Sequence, residues 1–292
     1  RRSAPDRHRH QRRIEAALER QGGTNITILQ QVTPNATVQV ARGSNSTLIS
    51  FIRGIGQQDP LWGFEPGVGL YVDDVYYARP QAAVLDIFDV HDIEVLRGPQ
   101  GTLYGRNTIG GAIKYTTDRI GAEPHLNIRG EVGNYGEKNL IIGAKMTIND
   151  QWGFSAGFAT YHHGGYGTNL TNGEDNYNKN VTAARASIEF SPTADVFFRL
   201  SADMVDDRSN AREGHREVAP ITSGVYDTYA GATQDNRVET SGVSFLGQWA
   251  LNDNFTFKSI SAYRAGKTDG AIDFDSLPQP YLDIPAQYRD HQ

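Results

Sequence analysis

From about residue 125 onward, apolar and polar positions alternate with period two, as in strands that keep one apolar face. In 125–133, Leu126, Ile128 and Val132 fall on one side, against His125, Asn127, Arg129 and Glu131 on the other. In 138–148, Leu140, Ile142, Ala144, Met146 and Ile148 oppose Asn139, Lys145 and Thr147. The runs 152–162 (Trp152, Phe154, Ala156, Phe158), 181–190 (Ala184, Ala186, Ile188, Phe190), 196–205 (Val196, Phe198, Leu200, Ala202, Met204) and 238–251 (Val243, Phe245, Trp249, Leu251) repeat the pattern. A seventh run, 255–264, is mixed. The periodicity predicts about seven antiparallel strands of roughly ten residues.

The connectors alternate too. "INDQW", "FSPTADV" and "LNDNF" are short turns, whereas 163–180, 207–237 and an opening at 265 are long and polar, with a brief "GNYGEK" among them. Short turns at one end and long loops at the other are the layout of a transmembrane β-barrel. Trp152, Phe154, Phe190, Phe197, Trp249, Phe255 and Phe257 cluster beside the short turns, where an interfacial girdle belongs. A soluble antiparallel sandwich, such as a β-rich glycan- or ligand-binding protein, alternates equally and is the competing reading. The two differ in what covers Ile142, Met146, Phe158, Leu200 and Met204: lipid or a second sheet.

Residues 14–120 read differently, as a compact mixed domain. "RIEAALERQ" (13–21) has helical spacing. "TILQQVTPNATVQV" passes from a short helical piece to a strand, broken at Pro34. "TLISFIRGIG" and "VGLYVDDVYY" are strand-like, and "LDIFDVHDIEVLRG" is a helix or turn leading into a strand.

The stretch "DIEVLRGPQGTLYGRNTIGGAI" (92–113) then places Gly98, Gly101, Gly105, Gly110 and Gly111 behind a strand. Neither phosphate-binding glycine pattern fits their spacing. With "FIRGIG" and "VGLYVDDVYYARP" upstream, the segment resembles the plug of TonB-dependent outer-membrane receptors. The resemblance rests on Leu96-Arg97-Gly98-Pro99, Leu103-Tyr104-Gly105 and Gly110-Gly111, and covers about 30–117. It implies an α+β plug domain followed by antiparallel transmembrane strands, the start of a barrel of the ~22-strand type. On that reading the chain is a truncated receptor: a basic leader of uncertain status at 1–13, a plug at 14–120 and the first part of the barrel at 121–292.

The resemblance further implies energy-coupled uptake of a scarce nutrient such as an iron–siderophore complex. The implied place is the outer membrane of a Gram-negative bacterium. The implied partners are outer-membrane lipid, the periplasmic coupling protein TonB and a small-molecule ligand such as a ferric siderophore. Arg53 and Arg97 are implied to lock the plug to carboxylates on the barrel wall. The five glycines serve plug turns, with Gly110 and Gly111 at the bend toward the first wall strand. Gln57, Gln58, Trp62, Phe64, Tyr77 and Arg79 are candidate ligand-facing residues of the plug loops.

Composition narrows the function classes. There is no cysteine among the 292 residues, which removes disulfides and thiolate metal sites. Net charge is −6 although residues 1–13 hold six arginines against one aspartate, so the body is more acidic than the whole. That argues against nucleic acid as a partner. Asp73, Asp74, Asp273 and Asp275 are carboxylates of the calcium-binding type but lack EF-hand spacing, and the histidine pairs lack a third ligand. The expectation is no metal, no cofactor, no catalytic residue and no enzyme.

Overall fold

The computed structural model describes residues 25–42, 44, 46–58, 63–83, 90–117, 119–121, 123–233 and 235–292. The basic leader, the expected helix at 13–21 and Trp62 lie outside the described residues. Contacts divide the chain into two compact units, one of residues 1–40 with 47–119 and one of 41–46 with 120–292.

In the first unit, a 3-10 turn (Ile26–Ile28) and α1 (Leu29–Val32) lead into β1 (Ala36–Val40). Asn25 caps the turn, its Oδ1 accepting from Thr27 N at 3.0 Å. β1 pairs antiparallel with β2 (Leu48–Ile52), which hairpins into β3 (Ile55–Gly56). A four-stranded sheet follows from β4 (Val68–Val72), β5 (Val75–Tyr77), β6 (Val90–Arg97) and β7 (Gly111–Thr117), in the order β5-β4-β7-β6. Only β4 and β7 run parallel. Between β6 and β7 lies α2 (Gly101–Tyr104). The core is small and aliphatic: Ile26, Leu29, Val38, Ile52, Val68, Leu70, Ile113 and their neighbours.

The strand after Gly110 and Gly111 corrects one expectation. It is the central strand of this sheet, not an exit toward the wall. A Cβ on Gly110 would stand 2.4 Å from Ile55 O, and one on Gly111 would stand 2.2 Å from Leu96 O. Close backbone approach therefore demands glycine at both. Gly98 and Gly105 have φ of +97° and +77°. Gly101 has neither constraint, with open space where a side chain would go.

The second unit is an eight-stranded antiparallel sheet. Its strands are β8 (His125–Val132), β9 (Lys138–Thr147), β10 (Trp152–His163), β13 (Lys179–Thr193), β14 (Val196–Asp207), β15 (Arg237–Asn252), β16 (Phe255–Asp273) and β17 (Asp283–His291). Each pairs with its sequence neighbour. The loop before β13 carries a two-stranded ribbon, β11 (Gly167–Thr168) and β12 (Asp175–Asn176).

Apolar residues line one face and are exposed: Ile128, Met146, Phe158, Leu200, Met204, Phe245 and Trp249 among them. Cross-strand rings continue the row, with Trp152 stacked on Phe190 at 4.3 Å and Phe190 on Phe198 at 6.4 Å. The other face is polar yet buried, holding Ser155, Ser187, Glu189, Arg199 and Arg264. This inversion of the soluble pattern suits a wall bathed in lipid. No second sheet covers the apolar rows among the described residues, which removes the basis of the sandwich reading.

Three expectations need correction here. The sheet has an eighth strand, β17, which carries Pro285 and so breaks the alternation. The final long strand runs to Asp273 rather than opening at 265, and β13, β15 and β16 have 15, 16 and 19 residues, well beyond ten. Phe197 is buried on the polar face, and Phe198 takes its place in the ring row.

Candidate functional site

Arg53 and Gly54 form the two-residue loop between β2 and β3, since Ile52 pairs with Ile55. Both residues have positive φ, +53° and +78°. Such a hairpin favours asparagine or glycine at the first position, and an arginine there costs about 1–2 kcal/mol. Its amide donates to Asn35 O at 2.7 Å. Arg97 ends β6 opposite Gly111. The two motifs converge: a Cβ on Gly98 would stand 3.9 Å from Arg53 Nη1. Both arginine side chains are exposed, and among the described residues neither makes an ion pair.

The candidate ligand-facing residues separate. Gln58 and Phe64 are exposed and Gln57 is half-buried. Tyr77 does not reach a loop surface, because it lies on β5 inside the hydrophobic core. Arg79 is half-buried, and its Nη1 lies 3.7 Å from Glu65 Oε1. Glu65 is a hub that the sequence reading missed. Arg106 Nη2 donates to it at 2.9 Å, and Asn107 Nδ2 donates to its other oxygen and to Tyr76 Oη. Asp73 and Asp74 are also turn residues, at φ +49° and +64°. Asp73 accepts from Thr117 N and Oγ1 at 2.8 Å each, and Asp74 pairs with Lys114 at 3.4 Å. Their carboxylates are thus committed to fastening a hairpin.

In the second unit, ion pairs crosslink the polar face. Arg199 and Glu189 sit directly opposite on neighbouring strands, with Nε donating to Oε1 at 2.8 Å. Arg264 forks onto Asp203 with two 2.9 Å bonds.

At the end with long connectors, aromatic rings gather. Tyr166 stacks on His163 at 4.8 Å and meets Tyr135 edge-on at 5.0 Å, while Tyr226 bridges Tyr166 and Tyr177. Arg212 lies 4.7 Å over the Tyr177 ring, and burial pulls its guanidinium below the ordinary arginine range. Burial raises the Tyr166 phenol above its ordinary range. The cluster combines flat π-faces with a cation, a surface suited to planar, electron-rich ligands. No sequence motif marks it, because its members come from four separate segments.

Asp273, Asp275 and Asp283 also converge, their nearest oxygens all within 4.8 Å of one another. Sequence spacing did not show this group, since Asp283 arrives across the β16–β17 turn.

Comparison with known proteins agrees with this architecture. Residues 14–112 match the family model of the TonB-dependent Receptor Plug Domain. The pesticin receptor of Yersinia pestis is 34% identical over 116 residues, 39% of this chain and 16% of that protein. The ferric yersiniabactin uptake receptor FyuA of Yersinia pestis superposes with a TM-score of 0.73 at 22% identity, covering 89% of this chain and 41% of that one. The ferric-catecholate import receptor Fiu of E. coli K12, in its closed form, gives 0.68 at 15% identity over 94% and 40%. The chain thus spans well under half of the relatives it matches, and they are named as receptors rather than enzymes. With its plug motifs, small plug sheet and antiparallel wall with an exposed apolar face, the chain carries a TonB-dependent receptor plug domain over residues 14–112 and has a fold similar to that of TonB-dependent outer-membrane receptors over most of its length.

Proposed function

We propose that this chain is part of an energy-coupled outer-membrane receptor that takes up a ferric siderophore. The observation that carries the reading is a plug domain followed by an antiparallel wall whose apolar face is exposed. The similarity in fold to a ferric yersiniabactin uptake receptor and a ferric-catecholate import receptor favours iron as cargo. In this proposal outer-membrane lipid covers the apolar rows, and TonB pulls the plug from the periplasm. Ligand meets the wall's aromatic cluster, and Gln57, Gln58, Phe64 and Arg79 of the plug loops are separate candidates for ligand contact.

The ligand reading is tested by tryptophan quenching on the chain in detergent, titrated with ferric catecholates and ferric yersiniabactin. One of them should saturate. Tyr166→Ala should weaken that binding about tenfold, because the ring stacks on His163 and contacts Tyr135 and Tyr226. Equal affinity in the variant would remove the cluster from the binding surface.

Arg53 and Arg97 act as plug locks in this scheme. The strained φ of Arg53 supports that assignment, since a residue held at such cost serves something outside its own hairpin. Replacing both by alanine in the intact receptor should make the plug several-fold more sensitive to protease while ligand affinity stays within about twofold. Unchanged protease resistance with lost binding would instead make them ligand residues.

A further inference from the structure

Two long connectors of the wall are fastened to each other, and the fastening closes over an acid. One carries the β11–β12 ribbon; the other, residues 208–236, joins β14 to β15. Thr228 N donates to Thr168 O at 3.2 Å, and Leu170 N donates to Thr228 O at 2.8 Å. Asn169, wholly buried, donates through Nδ2 to Ala230 O at 3.0 Å. Asn176, also wholly buried, grips the far connector as a strand would. Its Oδ1 accepts from Glu213 N at 3.0 Å, and its Nδ2 donates to Glu213 O at 3.2 Å and to Tyr226 O at 2.9 Å. Thr228 Oγ1 donates to Gly214 O at 3.0 Å. A Cβ on Gly214 would stand 2.7 Å from Arg42 Nη2 and 3.4 Å from Ser276 Oγ. Residues 213–214 are thus held on several sides at once.

The side chain of Glu213 goes inside with its backbone. It is wholly buried, and among the described residues neither carboxylate oxygen has a hydrogen-bond partner. Such a place suits the neutral acid. The ionised form would give up its hydration with no donor to replace it. Nearby charges do not offset that cost. Asp273 and Asp283 oppose a negative charge there; Arg42 favours one but spends its donors on Ser276 Oγ at 3.0 Å and Phe274 O at 3.3 Å. On the same connector, Arg212 lies over the Tyr177 ring, His215 shares a 2.8 Å bond with Thr222 Oγ1, and Arg216 donates to Asp275 O and Ala219 O.

We propose that Glu213 is a proton-operated latch: the neutral acid lets the 208–236 connector close against the β11–β12 ribbon, and loss of its proton to solvent releases the connector. Burial first, and then Asp273, raises the closed carboxyl from its ordinary 4.5 to about 8. In the opened connector the carboxyl meets water and returns to the ordinary value. The closed form therefore holds its proton more tightly. Its advantage is complete below the ordinary value, shrinks about tenfold per pH unit as pH rises, and stops shrinking above about 8. Opening breaks the Asn176 bonds to Glu213 and Tyr226 and frees Arg212, the residue next to the latch. The Tyr177–Arg212–Tyr226 part of the aromatic cluster is thus assembled best at acidic pH. The latch needs no ligand, so it stands apart from the uptake reading.

The test is hydrogen exchange on the whole chain in detergent, resolved by segment and expressed relative to the free amide at each pH. Protection of the amides of Leu170, Glu213 and Thr228 should fall about a thousandfold between about pH 5 and 8 and then level off. Protection of 196–205 in the wall should not follow it. Glu213→Gln, the nearest mimic of the neutral acid, should keep the connector's protection high and flat across the same range. Infrared spectroscopy needs no variant. With carbon-13 glutamate, a protonated glutamic acid band should be present at pH 7 and gone above about pH 9. Connector protection indifferent to pH, the same pH dependence in Glu213→Gln, or no protonated glutamic acid at pH 7 would each overturn the latch.

Discussion

Gly111→Ala should unfold the plug sheet while leaving the eight-stranded wall paired. Gly111 opens β7, the strand held between β4 and β6, and pairs with Val68 on one side and Arg97 on the other. Its φ is +149°, and a methyl group would stand 2.2 Å from Leu96 O and 2.8 Å from Ile52 Cδ1. One contact is with backbone in a ladder and the other with a core side chain, so neither yields without breaking pairing or packing. Overpacking of this kind costs about 1–3 kcal/mol, and a forced backbone conformation adds about 1–3 more. Against a typical domain stability of about 5–15 kcal/mol, that is enough to empty the native state of a small unit. Hydrogen exchange resolved by segment should show residues 68–77 and 111–117 losing protection, with 179–207 unchanged. Gly101→Ala is the control, expected to be neutral because its Cβ meets open space. Equal protection in Gly111→Ala and the parent chain would mean that the sheet bends more cheaply than the geometry allows.

Arg199→Met should be the most damaging single change in the wall, at about 3–5 kcal/mol. It would leave Glu189 buried without its partner, with only the Ile120 amide at 3.2 Å still donating to it among the described residues. The double variant Arg199→Met with Glu189→Leu should recover much of that loss, because a buried charge pair costs desolvation that an apolar pair does not. Unfolding in denaturant of the chain in detergent measures both. Additive losses would show that the pair is not coupled across the β13–β14 ladder, despite the 2.8 Å bond from Arg199 Nε to Glu189 Oε1.

What the sequence reveals tracks where a single solvent boundary acts. Leu200, Phe245 and Met204 lie where one face meets lipid and the other does not, so alternation is strict and the strands are legible. Beyond that band, residues 266–270 of β16, Gly-Lys-Thr-Asp-Gly, are small or polar on both faces, with Thr268 buried and the others half-buried. Pairing with β15 and β17 continues there, but nothing forces a period, so the strand reads as loop. The plug glycines are legible because close approach admits a single residue type. Tyr77 is not, since a strand of three residues offers too little pattern to separate core from loop. Asp283 joins Asp273 and Asp275 only across the connector from β16 to β17, which spacing along one chain does not encode.

The length of β16 has a consequence for how a molecule would first meet this protein. Nineteen residues at about 3.3 Å each make a strand about 60 Å long. Tilted by about 40° it stands nearly 50 Å tall, against an apolar band of about 25 Å. Roughly 20 Å of hydrogen-bonded ribbon therefore projects past the membrane as a stiff collar. An arriving solute meets a pre-shaped rim rather than a brush of mobile chain. A solute meeting this end finds strands already ordered, so little ordering entropy is lost on contact.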